Sequence, residues 1–133
     1  MRYMLDTNIC IYIIKKRPLQ VFQIFNDLQV GDVYISSITL AELQYGVYKS
    51  RFPERNKLAL ANFLAPITIL PFSDRASVLY GLIRADLEKR GQIIGAYDLL
   101  IAAHALSEGL ILVTNNTKEF SRIPNLTIKN WAE

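Results

Sequence analysis

The chain is poor in the residues that staple or anchor a protein. Cys10 is the one cysteine among 133 residues. A lone thiol makes no internal disulfide, which fits a reducing compartment and a small apolar packing role. There is one histidine, His104, so no Cys/His cluster exists and a structural zinc site is excluded. The apolar stretches are too short to span a bilayer, and no basic start followed by a long apolar run marks a leader. A Gly-x-Ser-x-Gly turn, which a Ser–His–Asp hydrolase needs, is missing, as are repeats, low-complexity tracts and Gly/Ser linkers. These absences leave a cytoplasmic protein with a single domain over residues 1–133, and no membrane partner, as the expectation.

What is present is the composition of a folded chain: 51% hydrophobic and 20% charged residues. The net charge of +3 permits a polyanionic partner without demanding one. Basic residues gather locally, as Lys15, Lys16 and Arg17, as Lys49, Arg51, Arg55 and Lys57, as Lys89 and Arg90, and as Lys118 and Arg122. Each group falls where a helix ends or a loop begins, so each answers either a helix dipole or a phosphate.

The elements alternate. Residues 2–5 read as a first strand, 8–16 as a helix, and Pro18 opens a second helix that Gly31 ends. Residues 32–36 read as strand two, Ser37 or Thr39 starts a helix, and Pro53 opens another through residue 64. Strand three spans 67–71, and Asp74 caps a long helix closed by Lys89–Arg90–Gly91. Gly95 precedes a helix through residue 108 closed by Gly109, strand four spans 110–114, a helical turn covers 117–122, and an edge strand spans 126–129. Strands apolar on both faces and separated by helices predict an α/β fold, with a parallel sheet of about five strands flanked by helices on both faces. Ligands in such folds bind beyond the carboxyl ends of the strands. Asp6, Asn115 and Asn116 sit at such ends.

Four acids stand in unusual surroundings. Asp6 follows the first strand; Glu42 lies in SSITLAELQYG; Asp98 is the one charge between Arg90 and Glu108; Glu119 follows strand four. Each has a plain structural use. Asp6 can cap a helix, Thr39 and Glu42 have the spacing of a capping box, Asp98 sits in a helical first turn, and Glu119 can be surface. Gathered at one crevice they repel, and an unpaired buried carboxylate costs more than a cap returns. A hard divalent cation with oxygen ligands resolves this, and with a basic rim it suits metal-assisted phosphodiester hydrolysis. His104 lies six residues beyond Asp98 and so off its helical face. Packing or hydrogen bonding is expected of it, not general base work.

The stretches MLDTNI (4–9), SSITLAELQYGV (36–47), LIRADLEKRG (82–91), IGAYDLLIAAHAL (94–106) and LVTNNTKEFSRIPNLTIKNW (112–131) follow one another in order. In these the chain resembles the PIN-domain ribonucleases, and among them the VapC-type toxins of bacterial toxin–antitoxin pairs. The resemblance implies a parallel sheet between helices and a Mg²⁺- or Mn²⁺-dependent endoribonuclease acting on structured RNA, tRNA foremost. It implies that Asp6 and Asp98 hold the cation while Glu42 and Glu119 bind its waters, and that Thr7 and Asn8 position Asp6 or the phosphate. Where many relatives carry Thr-x-Asp after strand four, this chain has Thr114–Asn115–Asn116, leaving Glu119 as the nearest acid and Asn116 to orient a water or ligand. The resemblance also implies a homodimer, a VapB-type antitoxin lying across the groove, and promoter DNA bound only through that antitoxin. The apolar stretches at 9–14 and 20–28, and Tyr45, Tyr48 and Phe52, serve either such interfaces or the core.

Other readings stand beside this one. A nuclease for DNA flaps would carry more acids and an arch. A receiver-like phosphoacceptor needs an acid ending strand three, where this chain has Leu70–Pro71–Phe72. A PIN-fold module that binds RNA or protein without cutting would not need Asp6, Glu42 and Asp98 together.

Overall fold

The computed structural model describes residues 1–133. Five strands form its sheet: β1 (Tyr3–Leu5), β2 (Val33–Ser36), β3 (Thr68–Leu70), β4 (Ile111–Val113) and β5 (Ile128–Lys129). Their order is β3-β2-β1-β4-β5 and every pairing is parallel. Tyr3 stands opposite Val33 on one side and Ile111 on the other.

Seven helices cover the sheet: α1 (Thr7–Lys15), α2 (Leu19–Asp27), α3 (Ser37–Tyr48), α4 (Pro53–Leu64), α5 (Asp74–Lys89), α6 (Ala96–Glu108) and α7 (Thr117–Phe120). The period of two in β1 divides the core. Tyr3 and Leu5 face a cluster with Ile9, Ile13, Val21, Leu43 and Phe63 from α1 to α4. Met4 faces the opposite cluster with Ile83 and Leu87 of α5, Leu99 and Ile101 of α6, and Phe120. Burying a side chain such as Leu5 or Met4 contributes about 1.5–3 kcal/mol. The short central strands β1, β2 and β4 hold because both faces are covered. Cys10 lies inside the first cluster, and burial pushes its thiol pKa up, so it packs as expected.

The α/β class, the parallel sheet and the flanking helices agree with the sequence reading. The details differ in instructive ways. Helix α2 starts at Leu19 and stops at Asp27, before Gly31, which instead takes a positive φ of 99° in the turn into β2. The long helix is capped by Ser73, whose hydroxyl accepts from Ala76 N at 3.1 Å; Asp74 is its first helical residue. Helix α3 is capped by Ser36, which accepts from Ile38 N at 3.1 Å. The capping box of Thr39 and Glu42 therefore does not form, and Glu42 is left free of capping duty. Strand β3 is an edge with Thr68 and Ile69 exposed, not a strand apolar on both faces. The terminal signals at Gly91 and Gly109 hold. At Gly109, φ is 65°, and Leu110 N closes the helix on Ala105 O at 3.0 Å.

Candidate active site

The chain runs from β1 to β2 and β3 on one side of the sheet, while β4 and β5 extend it on the other. The crevice between the carboxyl ends of β1 and β4 is thus the switch point at which open α/β sheets bind ligands. Asp6 N donates to Val113 O at 3.0 Å, which pins the Asp6 backbone across this point.

Asp6 is 3% exposed. One carboxylate oxygen accepts from Ile9 N at 2.9 Å and caps α1. The helix-cap use and the functional use therefore fall on one residue. Burial pushes the Asp6 pKa up to about 6. The Thr114 hydroxyl and the Ile9 amide favour the charged form; Asp98 and Glu42 oppose it by repulsion.

Asp98 lies in the first turn of α6 and is half-buried. Its pKa is raised, first by burial and then by the charges of Glu119 and Glu42, while the Asn116 side chain favours the ionised form. Glu42 is also half-buried on α3, and its Oε1 accepts from the Thr7 hydroxyl at 2.6 Å. Glu119 stands in α7. The structure therefore brings all four acids into electrostatic reach of Asp98 or Asp6. Thr7, Thr114 and Asn116 join them through side chains. Asn8 is exposed and shares in none of these contacts.

Asn115 does more than its sequence position suggested, and His104 does what was expected of it. Asn115 donates from Nδ2 to the Tyr12 hydroxyl at 2.8 Å, and its Oδ1 is buried without a partner. Such an orphaned carbonyl oxygen is the kind of buried group that an ordered water satisfies. Its place beside Asn116 was the signal available for it. His104 is fully buried and bonds Ser36 through Nδ1 at 2.7 Å. It has the hydrogen-bonding role expected of it and is remote from general base work.

No three acidic, histidine or cysteine side chains converge tightly enough to hold an ion by themselves. Mg²⁺ does not ask for that, since it takes one or two carboxylates, several waters and substrate phosphate. Asp6 and Asp98 supply two carboxylates of hard oxygen, with no soft ligand nearby able to compete, since Cys10 is packed in the core. The residues present fit such an ion.

Beside Glu42 runs a groove of about 410 Å³ between α1, α3 and α4, lined by Ile11, Lys15, Leu43, Lys49 and Asn56 among others. Exposed Tyr45, Tyr48 and Phe52 stand on α3 and at the start of α4, outside the core. Two of these rings carry cations: Lys49 over Tyr45, and Arg51 and Arg55 over Phe52.

Residues 3–126 match the family described as PIN domain. The chain belongs to the PIN-domain family. Within it, this PIN domain groups with the VapC ribonucleases. It is 50% identical over 132 residues to ribonuclease VapC2 of Haemophilus influenzae, covering 99% of each chain. It is 46% identical over 132 residues to the tRNA(fMet)-specific endonuclease VapC of Shigella flexneri, again covering 99% of each. Among solved structures, the VapBC2 complex of Rickettsia felis bound to a promoter DNA fragment contains a chain that matches this PIN domain with a TM-score of 0.92. The two are 50% identical, covering 98% of this chain and 99% of that one. No helix of this PIN domain is long and apolar enough to cross a membrane.

Proposed function

We propose that this chain is a metal-dependent endoribonuclease toxin that hydrolyses phosphodiester bonds of a structured RNA, with tRNA as first candidate. One observation carries the reading. Asp6 is a nearly buried carboxylate whose pKa stands near 6, repelled by Asp98 and Glu42. A fold keeps such a group where a cation compensates it. The names of the relatives, ribonucleases and a tRNA(fMet)-specific endonuclease, support RNA as the substrate. The VapBC complexes among the structural neighbours support a VapB-type antitoxin as partner.

In this reading Asp6 and Asp98 hold Mg²⁺ or Mn²⁺, and Glu42 and Glu119 accept hydrogen bonds from its waters. A bound cation lowers the pKa of water and offsets phosphoryl charge. Thr7 fixes the Glu42 carboxylate, and Thr114 and Asn116 partly offset the burial that favours the neutral forms of Asp6 and Asp98. Burial keeps bulk water from Asp6, while Glu42 and Asp98 stay half-exposed. Lys15 and Lys49 flank the groove next to Glu42 and suit the RNA backbone. The protein is cytoplasmic and homodimeric in this proposal, meeting promoter DNA only through the antitoxin.

The test is incubation of the purified chain, free of antitoxin, with total cellular RNA in Mg²⁺ or EDTA, beside Asp6→Ala. Discrete fragments from the wild type in Mg²⁺ alone are expected. A folded, antitoxin-free sample that cuts nothing would favour a binding module.

A further inference from the structure

Ser36 and His104 are both fully buried and lie 68 residues apart in sequence, yet His104 Nδ1 stands 2.7 Å from Ser36 Oγ. Ser36 Oγ already accepts from Ile38 N. If Nδ1 carried the proton, Ser36 Oγ would accept twice, and both its own proton and the Nε2 lone pair would be left unpaired. If the hydroxyl donates to Nδ1, only the Nε2 proton lacks a partner. Buried polar groups are costly to orphan, so the second arrangement holds. The Phe72 ring, set edge to face against the imidazole at 5.4 Å and 76°, gives the heterocycle an aromatic neighbour. Phe72 N in turn donates to Ser37 Oγ at 3.0 Å. Ser36, Ser37, Phe72 and His104 thus close a circuit that joins the end of β2, the segment after β3, and α6.

The two acid-bearing helices leave this circuit in step. Glu42 lies six residues after Ser36 along α3, and Asp98 lies six residues before His104 along α6. Six residues of helix span about 9 Å. At the far ends of these equal arms, Glu42 and Asp98 feel each other's charge. The arms are rigid, so a shift at the circuit is carried to the acids.

The geometry points to His104 as a positioning residue: its bond with Ser36 sets the distance between Glu42 and Asp98. This rests on the nuclease reading of those acids. The pairing is unnecessary for ordinary packing, because an apolar side chain would fill the same space without an orphaned ring nitrogen.

Three variants and one spectrum test it. His104→Leu keeps the bulk and loses the bond; Ser36→Ala removes the bond from the other side; His104→Asn offers its Oδ1 where Nδ1 stood. In Mg²⁺-dependent cleavage of RNA, His104→Leu and Ser36→Ala are expected to lose roughly 10–100-fold in kcat and to need more Mg²⁺, with KM for RNA little changed. His104→Asn recovers most of the loss. A purely structural residue would lower Tm and leave kcat per folded molecule and the Mg²⁺ requirement alone. Wild-type kcat in folded Ser36→Ala, or an Asn variant as impaired as the Leu variant, would overturn the proposal. Because His104 is the sole histidine, its ring nitrogens need no assignment by NMR. A proton on Nε2 is expected, and one on Nδ1 contradicts the bond. If the wild type cuts no RNA, the nuclease reading fails and the spectrum still judges the Ser36–His104 bond.

Discussion

The Thr7 hydroxyl donates to Glu42 Oε1 across 2.6 Å, tying the first turn of α1 to an acid 35 residues away on α3. Thr7 directly follows Asp6. One dipeptide therefore caps a helix, presents a buried carboxylate and restrains a second one. The central sheet position of β1 makes this possible, because α1, which starts at its carboxyl end, packs against α3.

Removing that bond leaves Glu42 free to turn. Thr7→Val keeps the shape and is expected to reduce cleavage about tenfold, in the range seen when partners of metal-site ligands are lost. Stability changes by about 1 kcal/mol, the net worth of one hydrogen bond. Thr7→Ser restores both. Steady-state cleavage rates and thermal melts of the three proteins check this.

Asp6→Asn separates function from stability. The Asp6 pKa is raised in the folded state to about 6 from 3.8. Its protonated form is therefore favoured by folding: the associated stability is fully present below about pH 4 and lost as pH rises through 6. Above that, the ionised wild type carries a strain that the neutral amide lacks, and Asn caps a helix as well as Asp. The variant is expected to be more stable than wild type at pH 7.5 without divalent ions, by about 1–3 kcal/mol, and to cut no RNA. An Asn variant less stable than wild type at pH 7.5 would contradict the burial argument.

Mg²⁺ should reverse that order. At pH 7.5 millimolar Mg²⁺ raises the wild-type Tm by linkage, and EDTA removes the gain. At pH 5 the effect shrinks, because Asp6 must shed a proton to bind. Asp6→Asn shows no shift at either pH. Calorimetry at the two pH values distinguishes this from non-specific salt effects if an equal ionic strength of NaCl is run beside it.

Asp98→Asn removes charge from the residue whose pKa Glu119 and Glu42 both raise. Cleavage is expected to vanish while circular dichroism stays unchanged, and the melting temperature holds or rises as repulsion is relieved. Retained cleavage would take Asp98 out of the site.

Lys49 lines the groove beside Glu42 and also sits over the Tyr45 ring. If it meets an RNA phosphate, Lys49→Ala weakens binding of all RNA sequences alike and lowers the slope of log K against log salt by about 1. Filter binding of a catalytically silent Asp98→Asn background at several NaCl concentrations measures that slope.

The sequence carried the fold well where periodicity and end signals were strong. Helices α5 and α6, closed by Gly91 and Gly109, fall within a residue or two of expectation, because positive φ after a helix leaves few alternatives. Caps were less legible. Ser36 and Ser73 displaced Thr39 and Asp74, since several polar residues in a row can serve and only backbone geometry selects one. The four acids were visible by their lack of company in the sequence. The contacts of Asn115 and the Ser36–His104 bond were not, because they join elements 68 or more residues apart and leave no local pattern. Tyr45, Tyr48 and Phe52 could be read either way, and the structure puts them on the surface.

The position of β1 also sets a schedule. The strand that ends in Asp6 is synthesised before its partner β4, whose Val113 carbonyl receives the Asp6 amide and whose following Thr114 faces the carboxylate. A growing polypeptide on the ribosome holds Asp6 and Glu42 well before it holds β4, and Asp98 only shortly before. The crevice between β1 and β4, with Asp6 pinned across it, therefore closes only late in translation.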